Sequence, residues 1–161
     1  MEIVKKFQAF SKLNKKTKLL LIEAFIQLGW ARYLKSIPFS KVVPTLGEQM
    51  KETSFSLVSS NKENLASVSK AIQMMSGYTL WESQCLVKAI AGMKMLEKRN
   101  IESTLYLGTA KDENGDLIAH AWLRSGPFYI SGAEVMERFT VVAKFAKEPN
   151  FNNLEEEKLS R

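Results

Sequence analysis

The feature that most constrains this chain is a change of period near Asn100. Before it, apolar residues recur at helical spacing, as in Leu65, Val68, Ile72 and Met75, and again in Leu86, Ala89, Ile90, Met93 and Leu96. After it come short extended runs separated by turn residues. Helices first and tightly connected strands after predict an α+β domain with an antiparallel sheet.

The helical half begins with a weakly amphipathic stretch over residues 1–13. Asn14 and Thr17 are alternative caps for a helix from about Lys18 to Ser36, apolar on most of its circumference and interrupted only by Glu23, Gln27 and Arg32. Its unbroken apolar run, Leu19–Ile22, is far too short to span a bilayer. The reading is a helix buried against the domain or a partner, with peripheral membrane contact left open. Ile37-Pro38 ends it, because the residue before proline resists helical geometry. Pro44 and Gly47 make turns, and residues 55–58 suit a short extended piece. Ser60 and Glu63 fit a capping box for the next helix, which Gly77 stops. A third helix runs from about Ser83 to Arg99, with Asn100 as its C-terminal cap.

Thr104–Gly108 reads as the first long strand. Asn114-Gly115 is a hairpin dipeptide. Leu117–Arg124 follows, then a Ser125-Gly126-Pro127 turn, Phe128–Ser131, and a last strand over Phe139–Phe145. These form a meander. Its helical neighbour is the helix opened by Cys85, so a helix N-terminus is expected against the sheet.

At 161 residues, 45% of them hydrophobic, the chain can build one sizeable core. Charge divides it. Residues 1–51 carry ten Lys/Arg and three acids, for +7, while the remainder nets −1. The expected organisation is a basic N-terminal helical region over 1–51, a core over 52–148 and a polar tail over 149–161. The one cysteine excludes an internal disulfide and argues against a structural zinc site, so no metal and no cofactor is expected. The N-terminus lacks the pattern of a secretory signal, which makes the cytoplasm the expected location. The basic residues do not form a reader motif for nucleic acid.

Cys85 and His120 are the only residues of their kinds. Free cysteine has a pKa of about 8.5, and the thiolate is the nucleophile. The first turn of a helix helps through unpaired N–H groups and the positive end of the macrodipole. The same groups can stabilise an oxyanion. A buried thiol and a hydrogen-bonded histidine are the structural alternatives, but the pair in this order suits a nucleophile and its base.

A third group should orient the imidazole. If Arg124 pairs with Pro127 across the turn, His120 faces Ser131. Glu134 and Asp116 are the nearest carboxylates along the chain, and a main-chain carbonyl is a further option. His120 shares a strand face with Ile118, Trp122 and Arg124, so Trp122 can wall a cleft. Trp81 and Gln84 are candidates for the wall or the oxyanion site.

Cys85-Leu86, Leu105-Tyr106-Leu107-Gly108, His120-Ala121-Trp122 and Arg138-Phe139-Thr140-Val141-Val142-Ala143 together resemble the transglutaminase-like cysteine peptidases of lasso-peptide biosynthesis, in their stand-alone form. The resemblance spans about residues 60–145. It implies a Cys-His-Asp triad, of which Cys85 and His120 match, whereas Ile130-Ser131-Gly132 stands where the family has its Asp. It implies removal of the leader from a ribosomal precursor peptide. The implied partners are that precursor, a small leader-binding protein and an asparagine-synthetase-like cyclase that closes the macrolactam. An acyltransferase or amidase using the same Cys-His chemistry, and a non-catalytic peptide-binding module, are the competing readings.

Overall fold

The computed structural model describes residues 10–56 and 61–149. Helix α1, Lys15–Ser36, starts on Asn14, whose side-chain oxygen accepts the Thr17 N–H at 2.8 Å. Asn14 is therefore the cap, and the helix begins one turn earlier than Lys18. Leu21, Ala24, Leu28, Ala31 and Leu34 are buried along one side of α1. Past Pro38 the chain makes a one-turn helix α2, Phe39–Val42, a 3-10 turn over Val43–Thr45 and a two-residue strand β1, Glu48–Gln49.

Helix α3 covers Lys62–Ser76. Asn61 stands at its cap without a side-chain bond, and Ser60, the expected cap, lies outside the described residues, as do residues 57 and 58 of the expected extended piece. Helix α4 is Cys85–Glu97. Asn100 follows it at φ 52°, a conformation that asparagine tolerates better than most residues, and the Ile101 N–H returns to the Leu96 carbonyl at 3.0 Å.

Strands β2 (Ser103–Lys111), β3 (Leu117–Ser125), β4 (Phe128–Ser131) and β5 (Thr140–Lys147) join β1 in one antiparallel sheet of order β1-β5-β2-β3-β4. The order departs from a meander. After β4, a 3-10 helix over Ala133–Arg138 carries the chain back, and β5 pairs with β2 instead of extending the edge beyond β4. That placement sets Phe145 opposite Leu105, where both are fully buried.

One face of the sheet packs on the helices. A methyl group at Gly92 of α4 would lie 2.8 Å from Leu123 and 3.6 Å from Ile130, so α4 sits close against β3 and β4. Helices α1 and α3 complete that layer, and Arg99 beyond α4 holds Glu23 of α1 through two hydrogen bonds of 2.7 and 3.0 Å.

The opposite face is organised by Arg124, only 1% exposed. Its guanidinium donates to the carbonyls of Thr53, Ser54 and Gly126 and to the Tyr106 hydroxyl, and it lies 3.7 Å from the centre of the Phe55 ring. Tyr106 in turn donates to Glu52, which Lys144 also contacts at 3.0 Å. A cation with so little water needs this many acceptors, and they tie the segment after β1 onto the sheet.

Candidate active site

Cys85 is the first residue of α4, with Gln84 extended at the cap and no side chain capping the helix. The opening N–H groups are therefore not consumed by a neighbouring side chain. The thiol is half-buried and unbridged. Helix α4 and β2 are joined by a short turn and run in opposite directions, and Gly92 is level with Leu123. Cys85, about 10 Å earlier along the helix, is carried toward the end of β3 at which His120 stands.

His120 is half-buried, opposite Gly108 on β2. A Cβ at position 108 would come within 2.9 Å of both Phe139 and Trp122, so glycine leaves room for the rings that flank the imidazole. Trp122 stacks beside it with ring centres 5.9 Å apart, and Phe139 lies at 5.0 Å. Trp122 is itself stacked on Tyr106 at 5.4 Å. It forms a wall beside His120, as the alternation of β3 predicts.

The His120 Nε2 lies 2.7 Å from the Gly132 carbonyl. A carbonyl only accepts, so Nε2 carries the hydrogen and Nδ1 of the neutral ring keeps its lone pair. The ring is thereby held in the tautomer that presents Nδ1 as a base. Gly132 is at φ 77°, and a Cβ there would stand 2.4 Å from the Ala121 carbonyl oxygen. Glycine alone lets the chain pass this close to β3.

The expected register fails at Ser131. It pairs with Leu123, not His120: the turn closes with Ser125 opposite Phe128, two residues out of the expected register, and a bulge at Leu123/Arg124 adds a third. Its hydroxyl is buried with no partner. Asp116 is exposed in the β2–β3 turn, four residues along the strand from His120, and Glu134 is exposed in the 3-10 helix. Neither carboxylate bonds to the imidazole. Trp81 lies instead against α1, 5.2 Å from the Phe25 ring and in contact with Gly29. The Gln84 amide is taken up by Lys35 at 3.1 Å and by Glu82.

Cys85 opens a helix on the core side of the sheet, whereas His120 is on the alternate positions of β3, and the two are not in contact. Among the described residues no hydrogen bond joins them. Ala121 and Leu123 are on the side of β3 that belongs to the helix-packed core, while His120, Trp122 and Arg124 alternate with them. Phe139 enters the sequence reading only as the start of the last strand and as part of the Arg138–Ala143 run, and neither signal places it beside His120.

Helices stacked on one face of an antiparallel sheet, with a thiol opening the central helix and an oriented histidine on a strand, define a class of α+β domain. The Transglutaminase-like superfamily matches residues 33–144, most of the chain, and the protein belongs to it. Its members are typically cysteine hydrolases or transferases. No curated protein and no solved structure matches the chain. No helix among the described residues is long and apolar enough to cross a membrane.

Proposed function

We propose that the protein is a cysteine peptidase that removes the leader from a ribosomally made lasso precursor, acting with a small leader-binding protein and ahead of an asparagine-synthetase-like macrolactam cyclase. The observation that carries the peptidase reading is the 2.7 Å bond from His120 Nε2 to the Gly132 carbonyl, which leaves Nδ1 as the basic nitrogen. The lasso assignment rests on the sequence resemblance. In this scheme Nδ1 takes the Cys85 proton, and the thiolate attacks the scissile carbonyl. The N–H groups opening α4 face the developing oxyanion. The imidazolium then protonates the departing amine, and water releases the acyl group from sulfur. The scheme requires peptide binding to bring the imidazole round to Cys85, because His120 alternates with the core-facing residues Ala121 and Leu123 of β3 whereas Cys85 opens a helix on the core side.

The test is mass spectrometry of precursor cleaved in the presence of the leader-binding protein. Cys85→Ala and His120→Ala should each abolish cleavage with the fold retained, and cleavage at the normal rate by Cys85→Ala would sink the scheme. Products extended by an added amine would mark an acyltransferase. The missing hydrogen bond between Cys85 and His120 favours one other reading, a peptide-binding module without catalysis. It expects alkylation of Cys85 to leave peptide binding unchanged and no cleavage by the unmodified protein.

A further inference from the structure

The exposed side of α1 is apolar along most of its length. Leu19, Ile22, Ile26, Trp30 and Tyr33 are all exposed, at 67, 47, 60, 50 and 55%. Their spacing of three, four, four and three residues makes one narrow seam along about 20 Å of helix. The other side of α1 is locked into the core through Leu21, Ala24, Leu28, Ala31 and Leu34, so the seam cannot turn inward. Contiguous apolar side chains of this kind mark an interaction site.

Charge says what covers it. Lys15, Lys16 and Lys18 open the helix, and Arg32 and Lys35 close it. Glu23 is its only acid and is engaged by Arg99. A second copy of this chain is a poor occupant. An antiparallel pair of α1 helices sets the lysines of one against Arg32 and Lys35 of the other, and a parallel pair sets lysine on lysine. A flat anionic bilayer fits less well than a helix. The seam is bordered near Leu19 by a groove of about 350 Å³, lined in part by Lys16, Leu20, Glu63 and Arg99. Glu82 stands beside Lys35 at the other end. A concave border suits the side chains of a helix better than a plane of lipid headgroups.

We infer that α1 docks an amphipathic helix of another polypeptide, one with an apolar seam and acidic flanks. Its apolar residues pack between Ile22, Ile26 and Trp30, and its acids face the two basic ends. Such pairing gives a rapid, salt-sensitive association.

The experiment uses the full chain and synthetic helices as long as α1, one with a Leu/Ile seam flanked by glutamate, one with the same seam flanked by lysine. Phosphatidylglycerol vesicles are the third probe. Titration should show the glutamate helix binding at least about tenfold more tightly than the lysine helix, with affinity falling as salt rises. Ile26→Asp should weaken it by about tenfold or more while leaving the thermal midpoint in place, because Ile26 is exposed. Lys15→Glu with Lys16→Glu should act mainly on the association rate. Equal binding of the two helices, no binding of either, or preference for the vesicles overturns the proposal. So does a dimer seen by sedimentation that Ile26→Asp dissolves.

Discussion

Two residues, Tyr106 and Gly132, show how single positions set the chemistry around them. Tyr106 is pushed up to about 12, first by burial and then by its hydrogen bond to Glu52, with the Arg124 guanidinium pulling the other way. The native protein thus holds this proton where an unfolded chain, near 10.0, has released it. The associated stability is intact below pH 10 and is lost as pH rises through about 12. Urea unfolding between these limits should show stability falling with pH, and Tyr106→Phe should flatten that fall. A fall of equal steepness in the variant would assign it elsewhere. Gly132 acts through its backbone. Gly132→Ala forces a Cβ against the Ala121 carbonyl at φ 77° and should cost about 1–3 kcal/mol. It should also move the carbonyl off His120, visible as a changed imidazole tautomer in the ring-nitrogen NMR shifts. Gly132 was legible as the place where the resemblance expects an aspartate. That its carbonyl takes over the bond was not, because a carbonyl's direction follows from the local backbone conformation, here φ 77°, and not from the kind of side chain.

At the scale of elements, local chemistry was readable and long-range pairing was not. The period change at Asn100, the Asn114-Gly115 turn and the Phe128–Ser131 strand are all where residue patterns place them. The insertion of β5 between β1 and β2 depends on which apolar faces match across the whole sheet, and the residues 50–56 that Arg124 holds carry no periodic pattern at all. Arg124 itself read as one more strand residue. The bond between α1 and the turn after α4 was equally invisible, since Glu23 and Arg99 lie 76 residues apart. The hydrogen bonds from Arg99 hold the Glu23 carboxyl below its ordinary 4.5, despite partial burial. A depressed carboxylate stabilises the fold above that value, and its contribution is lost as pH falls through the native pKa. Glu23→Gln should therefore lower stability at neutral pH and leave it nearly unchanged in strong acid, so that the two unfolding curves converge as a urea series is carried into acid. Curves that stay parallel into acid would show that Glu23 does not act through its charge.

For the whole molecule the question is whether the first third is an attachment or part of the core. Charge sets residues 1–51 apart, at +7 against −1 for the rest. Packing does not. The buried side of α1 faces α4, Trp81 lies on Gly29 and Phe25, and Lys35 reaches Gln84 at the residue before Cys85. The superfamily match nonetheless begins only at Tyr33, near the end of α1. Burying Leu21, Leu28 and Leu34 contributes about 5–9 kcal/mol, comparable to the whole stability of a domain this size. A chain beginning at Glu52 should therefore keep much of its helical and strand signal in the far-ultraviolet, lose its near-ultraviolet signal, and unfold in urea without a sharp transition. Adding residues 10–51 as a separate peptide should restore the sharp transition, because α1 supplies the apolar side chains that pack against α4 in the shared core. If the shortened chain unfolds cooperatively on its own, α1 is an attachment. Its buried leucines would then serve only to fix the orientation of the seam on its exposed side.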